Sequence, residues 1–118
     1  MAKKLLLIGD NMKVKEFAAV LQTSANIALA SDVKTGLIMA KEIVPDGIIF
    51  IVPVYWENIL PFLEEIKQDE ILKFKPIIYV GDFIEASDQT ILKGKGVHTI
   101  TLGPVPPQEI ARYILSLI

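Results

Sequence analysis

Residues 45–52 read Pro45-Asp46-Gly47-Ile48-Ile49-Phe50-Ile51-Val52, a turn followed by the most apolar run of the chain. Proline, aspartate and glycine in succession are typical of a turn. The run that follows has no alternating polar residue, so a strand formed here must be covered on both faces. This pattern predicts a central strand of a sheet with helices on both sides.

Outward from this strand, short apolar runs alternate with amphipathic segments in both directions. The predicted strands are residues 5–8, 26–30, 48–52, 77–80 and 99–102. The predicted helices are residues 14–21, 33–44, 60–67, 86–93 and 108–118. We expect Asn11 and Asn58 to cap the first and third helices. Parallel neighbouring strands need helical crossovers, so the alternation predicts an α/β fold with a doubly wound, five-stranded parallel sheet and five helices.

The composition is that of a globular protein and excludes several kinds of site. The 118 residues fit the usual size of one domain, which we expect to span residues 1–118. A net charge of −2 without a basic stripe argues against direct nucleic-acid binding. Cysteine is absent and His98 is the only histidine, which excludes disulfides, thiol nucleophiles and metal sites with two imidazoles. No apolar run reaches the length of a signal-peptide core or a membrane span, so a cytoplasmic protein without a membrane partner is expected.

In a doubly wound sheet the site lies at the carboxyl ends of the strands. The loop after the first predicted strand, Gly9-Asp10-Asn11-Met12-Lys13-Val14, has one glycine where a dinucleotide fingerprint needs three. Gly94-Lys95 lacks the remainder of a phosphate-binding P-loop. The sequence therefore predicts no nucleotide cofactor.

Three segments, in order along the chain, resemble the CheY-like receiver domains of response regulators. Pro45-Asp46-Gly47-Ile48-Ile49-Phe50-Ile51 is similar to the third strand of that family, and Lys75-Pro76-Ile77-Ile78-Tyr79-Val80 to the fourth. Gly96 with residues 99–105 and 107–110 resembles the fifth strand, the proline turn and the last helix. The resemblance implies the flavodoxin-like strand order 2-1-3-4-5, a two-component signalling role and a cytoplasmic setting.

The same resemblance implies a phosphorylation pocket, and most of its residues are replaced in this chain. Gly9-Asp10 stands at the position of the acidic pair that helps receivers to hold Mg²⁺, so one of the two acidic residues is left in this chain. Ile51 stands at the position of the phosphoacceptor aspartate. Gly81 and Gly103 replace the hydroxyl residue and the lysine that contact the phosphoryl group. The degenerate pocket consists of Gly9, Asp10, Ile51, Gly81, Gly103 and Pro104.

These replacements predict a receiver-like module without phosphoryl chemistry. Transfer of a phosphoryl group to a carboxylate needs a nucleophilic oxygen and a hard cation held by oxygen ligands. The side chain of Ile51 has no oxygen, and Asp10 alone is a poor Mg²⁺ ligand set. We expect no catalytic residue, no metal, no cofactor and no enzymatic activity.

Two alternatives remain open from the sequence. Asp10 and Asp82 both follow carboxyl ends of strands and together could form an atypical metal site, although an aspartate after Gly81 is more simply a solvated capping residue. The second alternative is a small-molecule sensor whose ligand occupies the vacated pocket between Gly9, Gly81, Gly103 and Trp56.

A protein partner is the remaining functional hypothesis. Tyr55 and Trp56 follow the third predicted strand and either anchor a partner or fold back over the pocket. In receivers, the fourth helix, fifth strand and fifth helix form the usual partner or dimer face. In this chain that face comprises Ile91, Thr99, Thr101, Val105, Pro106, Arg112 and Tyr113. We expect a signalling or output protein as the partner, or a homodimer through the same face.

Overall fold

The computed structural model describes residues 3–9, 12–51, 56–81, 84–101 and 105–118. Within these ranges, five parallel strands form one sheet in the order β2-β1-β3-β4-β5. The strands are β1 (Lys3–Ile8), β2 (Ala25–Ala30), β3 (Gly47–Ile51), β4 (Ile77–Gly81) and β5 (Val97–Thr101). The predicted fold class, including the strand order that the resemblance implied, is confirmed.

Five α-helices connect or follow the strands in the described ranges. They are α1 (Met12–Leu21), α2 (Val33–Ile43), α3 (Leu60–Gln68), α4 (Ala86–Gly94) and α5 (Pro107–Leu117). Two 3-10 turns precede α3 and β4, at Trp56–Ile59 and Leu72–Phe74. None of the helices in these ranges is long and apolar enough to cross a membrane.

The sheet is covered on both faces because successive side chains of its central strands point to opposite sides. The even-numbered residues of β1 and β3 (Leu6, Ile8, Ile48 and Phe50) join a cluster formed with α2, α3 and α4. The odd-numbered residues (Leu5, Leu7, Ile49 and Ile51) join a second cluster formed with α1 and α5. Phe50 and Phe62 meet edge to face in the first cluster, with ring centroids 5.0 Å apart. No polar side chain of the described residues is buried in either cluster.

Asp46 joins three segments at the amino edge of the sheet, opposite the predicted site. Its Oδ2 accepts a hydrogen bond from the backbone N–H of Lys4 at 2.8 Å, and its own N–H donates to the Lys4 carbonyl at 2.7 Å. The Nζ of Lys75 lies 3.9 Å from Oδ1. These contacts fix where β3 enters the sheet relative to β1 and β4.

The predicted cap of α3 is wrong, and the predicted cap of α1, Asn11, lies outside the described residues. Asn58 does not cap α3, because it lies inside the 3-10 turn that continues directly into the helix. The N-cap residue is Ile59, whose side chain has no hydrogen-bonding group, and Pro61 occupies the first turn, where its missing N–H leaves no bond unmade. The spacing of Asn58 and Pro61 in the sequence is therefore not sufficient to locate the start of this helix.

Asp32 caps α2, and this capping predicts a pH dependence of stability. Its Oδ1 accepts a hydrogen bond from the Thr35 backbone N–H at 2.7 Å, which holds the pKa of the carboxyl below its usual value of 3.8. A lowered folded-state pKa contributes stability that is complete above about pH 3.8 and is lost as pH falls through the folded-state pKa. We expect Asp32→Ala to be less stable than the parent at pH 7, with a deficit that shrinks below pH 3.8.

Urea denaturation at a series of pH values measures this deficit. Glu64→Ala changes an exposed acidic residue in the middle of α3 and serves as the control. A stability deficit of Asp32→Ala that stayed constant from pH 7 to pH 3 would contradict the role of the charged Asp32 carboxylate as the cap of α2.

Candidate functional site at the carboxyl edge of the sheet

Gly9, Ile51 and Gly81 lie side by side at the carboxyl edge of three neighbouring strands. Ile8 of β1 is in register with Phe50 of β3, so Gly9 lies beside Ile51. Ile51 is in register with Val80, so Gly81 lies one residue further along β4 than Ile51. The structure thus brings together the three described members of the degenerate pocket, and all three are buried.

Ile51 is the last residue of β3 and is completely buried. It belongs to the apolar cluster on the α1 and α5 face, which also contains Val14, Val80 and Ile100. Full burial of an aliphatic side chain of this size stabilises a fold by about 1.5–3 kcal/mol. This end of β3 is therefore part of the hydrophobic core.

Gly9 leaves no room for a side chain at the end of β1. A Cβ atom at this position would lie 2.8 Å from the backbone carbonyl oxygen of Ile51 and 2.8 Å from Cγ2 of Val14. The Gly9 N–H donates to the Ala30 carbonyl at 2.9 Å, which holds the backbone in place. A carboxylate at this position, as in an acidic pair, does not fit this backbone without displacing β3 or α1.

Gly81 is covered by Ile84, a residue that the sequence analysis did not identify. A Cβ atom at Gly81 would lie 3.1 Å from Cγ1 of Ile84, and the Ile84 side chain is buried. The Nε2 of Gln89 donates a hydrogen bond to the Ile84 carbonyl at 2.8 Å and ties this residue to α4. One sequence signal could have identified it: between β4 and α4, the apolar pair Phe83-Ile84 stands between two acidic residues.

Several predicted site residues lie outside the described residues. They are Asp10, Asp82, Gly103, Pro104 and Tyr55, together with the side chain of Trp56. The atypical metal site at Asp10 and Asp82 therefore stays a prediction. The capping residue before α4 is Glu85, which makes no side-chain cap hydrogen bond. Within the part of the chain that the structure describes, no group of three or more potential ligand residues could hold a metal ion.

A surface cavity of about 320 Å³ opens beside Gly9, but it faces β2. Its lining is Gly9, Val14, Lys15, Leu29, Ala30, Ser31 and Thr35. Ile51 and Gly81 do not line this cavity, so it differs from the vacated pocket predicted from the sequence. The small-molecule hypothesis for that pocket stays a prediction.

A wider groove of about 540 Å³ lies on the face formed by α4, β5 and α5. Its lining is Ala86, Gln89, Thr90, Lys93, Val97, His98, Thr99 and Tyr113. Thr99 and Tyr113 are members of the predicted interaction face, whereas Lys93 and His98 were not assigned to it. His98 lies inside β5 because that strand begins two residues earlier than predicted.

The remaining members of the predicted face do not line this groove, but they are exposed at the surface. Tyr113 is 52% exposed, and Ile91 and Val105 are 41% and 40% exposed. Thr101, Pro106 and Arg112 are also exposed. The face therefore offers apolar side chains beside hydroxyl groups and the positive charges of Lys93 and Arg112, a mixture that suits protein recognition.

Solved structures of chemotaxis proteins, response regulators and receiver domains match this fold. The chemotaxis protein CheY4 of Vibrio cholerae matches with a TM-score of 0.85 and 18% identity over 100% of both chains. The Mn²⁺-bound form of the response regulator Rcp1 gives 0.78 and 19%, covering 98% of this chain and 96% of its own. The receiver domain of a signal transduction histidine kinase from Syntrophus aciditrophicus gives 0.78 and 18%, covering 98% and 89%. No protein-family model and no curated protein matches the sequence.

The chain therefore has the CheY-like receiver fold. Its strand order, its helices and the full coverage of both chains by the CheY4 comparison agree on this point. The similarity in sequence is low, so the comparison shows the fold, and the residues at the carboxyl edge determine what the fold can do here.

Ile51→Asp tests whether this strand end accepts a carboxylate. The change removes apolar burial and places a carboxyl group among hydrocarbon side chains, so we expect a loss of at least about 3 kcal/mol of stability at pH 7. Burial raises the pKa of a carboxyl, so the folded state binds its proton more tightly and the variant loses stability as pH rises above about 4.

Chemical denaturation at pH 4 and pH 7 measures both effects. Ile51→Val is the matched control, with an expected cost of about 0.5–1.5 kcal/mol that is independent of pH. Equal stability of the two variants at pH 7 would show that the strand end is open and polar instead of sealed.

Proposed function

We propose that the chain is a receiver-like signalling module of the two-component type that acts by binding another protein and is not phosphorylated. It functions as a single domain over residues 1–118, catalyses no reaction of its own and works in the cytoplasm. The observation that carries this proposal is the complete burial of Ile51 at the end of β3.

The chemistry of the strand end supports the proposal. Phosphorylation of a receiver forms a bond between a carboxylate oxygen and phosphorus, and the leaving group departs with the bonding electrons. The side chain of Ile51 has no oxygen and no charge, and it is shielded from solvent. The donor's phosphoryl group therefore finds no nucleophile at this position.

The geometry around Ile51 also disfavours the metal ion that such chemistry requires. The Mn²⁺-bound form of Rcp1 shows that a protein of this fold can hold a divalent cation. Hard divalent cations bind through several oxygen ligands. In this chain Gly9 and Ile51 supply no side-chain oxygen, and neither position can gain one without repacking the core.

The face formed by α4, β5 and α5 is the proposed binding surface for a signalling or output protein. Its groove lies between exposed residues of both helices, and Tyr113 stands at its side with half of its surface exposed. Aromatic residues contribute strongly to the binding energy of protein interfaces. Lys93 and Arg112 place positive charge on this surface, which favours a partner with acidic side chains.

Exposure to acetyl phosphate and Mg²⁺, followed by intact-protein mass spectrometry, tests the absence of phosphorylation. We expect an unchanged mass, because no carboxylate is available at the strand end. A conventional receiver treated in parallel establishes that the reagent is active. A gain of one phosphoryl group would overturn the proposal. The variants Asp10→Asn and Asp82→Asn would then show whether either of these aspartates carries the phosphoryl group.

Replacement of Tyr113 tests the binding surface. We expect Tyr113→Ala to weaken binding to the physiological partner about tenfold or more, since a central aromatic residue typically contributes around 2 kcal/mol. Phe74→Ser is the control, because Phe74 is 78% exposed and lies in the 3-10 turn before β4, outside the groove. Equal effects of the two substitutions in a binding titration would place the partner elsewhere.

A further inference from the structure

Strand β2 forms one end of the sheet and carries an unprotected edge. It pairs with β1 along its whole length, from Lys3 with Ala25 to Ile8 with Ala30. No strand in the described part of the chain pairs with its other side. The outer backbone groups of this strand are therefore available to a further strand.

The pairing with β1 fixes which backbone groups point outward. The Ala30 carbonyl accepts from Gly9, so Ala30 is turned toward β1. Backbone direction alternates along a strand, so Ala25, Ile27 and Leu29 direct their N–H and C=O groups away from the sheet. These residues provide donors and acceptors for an added strand.

The edge lacks the features by which strands usually resist such pairing. Residues 25–30 read ANIALA and contain no lysine, no proline and no charged residue. The register with β1 is continuous, so no bulge bends the edge away. Leu29 is 49% exposed on this edge, whereas the strand at the other end of the sheet, β5, carries His98 and two threonines.

Helix α2 adds a second exposed apolar side chain near this edge, on the face of the sheet opposite Leu29. Thr35 lines the same cavity as Leu29, and Glu42 lines a second cavity with Asn26 and Ala28. Residues three to four apart share a helix face, so Ile38 lies between Thr35 and Glu42 on the side toward β2. Ile38 is 54% exposed.

We propose that this surface, the β2 edge, is the interface of a homodimer in which two β2 strands pair antiparallel. The two copies are then related by a twofold axis perpendicular to the sheet, and their two sheets form one continuous sheet. The interface is self-complementary, as a twofold dimer requires. The pairing covers Leu29 and hydrogen-bonds the outward backbone groups of both copies.

The position of α2 fits this arrangement. The helix packs over both β1 and β2, and strands are about 4.8 Å apart, so the α2 helices of the two copies come about 10 Å from each other. This separation agrees with the roughly 8–10 Å at which helices pack. The exposed Ile38 side chains then cover each other across the axis.

The charges on α2 also fit a second copy. Lys34 and Glu42 are both exposed and lie on either side of Ile38 along the helix. An antiparallel α2 pair centred at Ile38 brings Lys34 of each copy toward Glu42 of the other. Opposite charges therefore meet at both ends of the helix pair, which favours this register over a parallel one.

This interface is independent of the proposed binding function. The β2 edge and the α4, β5 and α5 face lie at opposite ends of the sheet, so a dimer through β2 leaves both binding surfaces open. The homodimer through the α4, β5 and α5 face, considered from the sequence, would instead occupy the partner surface. Variants at the two ends distinguish these arrangements.

Sedimentation velocity over a concentration series tests the proposal. We expect the parent chain to form a dimer at high concentration. Leu29→Pro removes an outward N–H without removing a bond to β1, and we expect at least about a tenfold weaker dimer. Tyr113→Glu and Phe74→Ser are controls that leave the dimer intact, and circular dichroism checks the fold of every variant.

A charge exchange provides a second test that does not alter the strand. Lys34→Glu and Glu42→Lys alone each place like charges together and are expected to weaken the dimer. The double variant restores the opposite pairs and the dimer. A parent chain that stays monomeric at millimolar concentration would overturn the proposal. Dissociation of the dimer by Tyr113→Glu in place of Leu29→Pro would also overturn it. So would a double variant whose dimer is no more stable than the dimers of the single variants.

Discussion

Burial of β3 on both faces is the constraint on which the rest of the structure depends. Each side chain of this strand lies in one of the two apolar clusters, and the strand is buried up to its last residue, Ile51. A carboxylate at such a position requires compensating charges and hydrogen bonds, because transfer of an unpaired charge out of water is costly. An isoleucine requires neither. The end of the strand therefore serves to stabilise the fold in this chain.

Gly9 and Gly81, which lie near Ile51 at the carboxyl edge of the sheet, are also closely packed. Gly9 lets β1 approach the Ile51 carbonyl so closely that no Cβ fits between them. At Gly81, the adjacent space is taken by Ile84, which Gln89 holds from α4. Removal of polar groups from a pocket leaves space or unpaired partners unless the surroundings repack. In this chain the described surroundings of Ile51 and Gly81 are packed with aliphatic side chains, and no described buried side-chain polar atom lacks a partner.

The fold could be predicted from the sequence because its main signal is local. Fully apolar runs such as residues 48–51 form strands that must be covered, and helices between them restrict the connections to a few arrangements. Ile51 was identified through the resemblance to receivers, which places the phosphoacceptor position at the end of the third strand. The strand order itself came from the resemblance to receivers and could not be derived from periodicity.

Other features depend on contacts between distant residues and were missed. The cap of α3 was misplaced because a 3-10 turn preceding the helix contains Asn58. The packing of Ile84 over Gly81 depends on the path of the chain after β4, which has no periodic signal. The strand order implied by the resemblance already placed β2 at the end of the sheet, but the register of β2 and the exposure of Leu29 became apparent only in the structure.

The most direct measurement of the central claim is an amide NMR titration with Mg²⁺ and beryllofluoride, a stable mimic of the phosphoryl group. The sealed strand end predicts that the amide resonances of Gly9, Ile51 and Gly81 keep their positions throughout the titration. Saturable shifts at these three amides, with both reagents required, would show a working phosphorylation pocket and contradict the account.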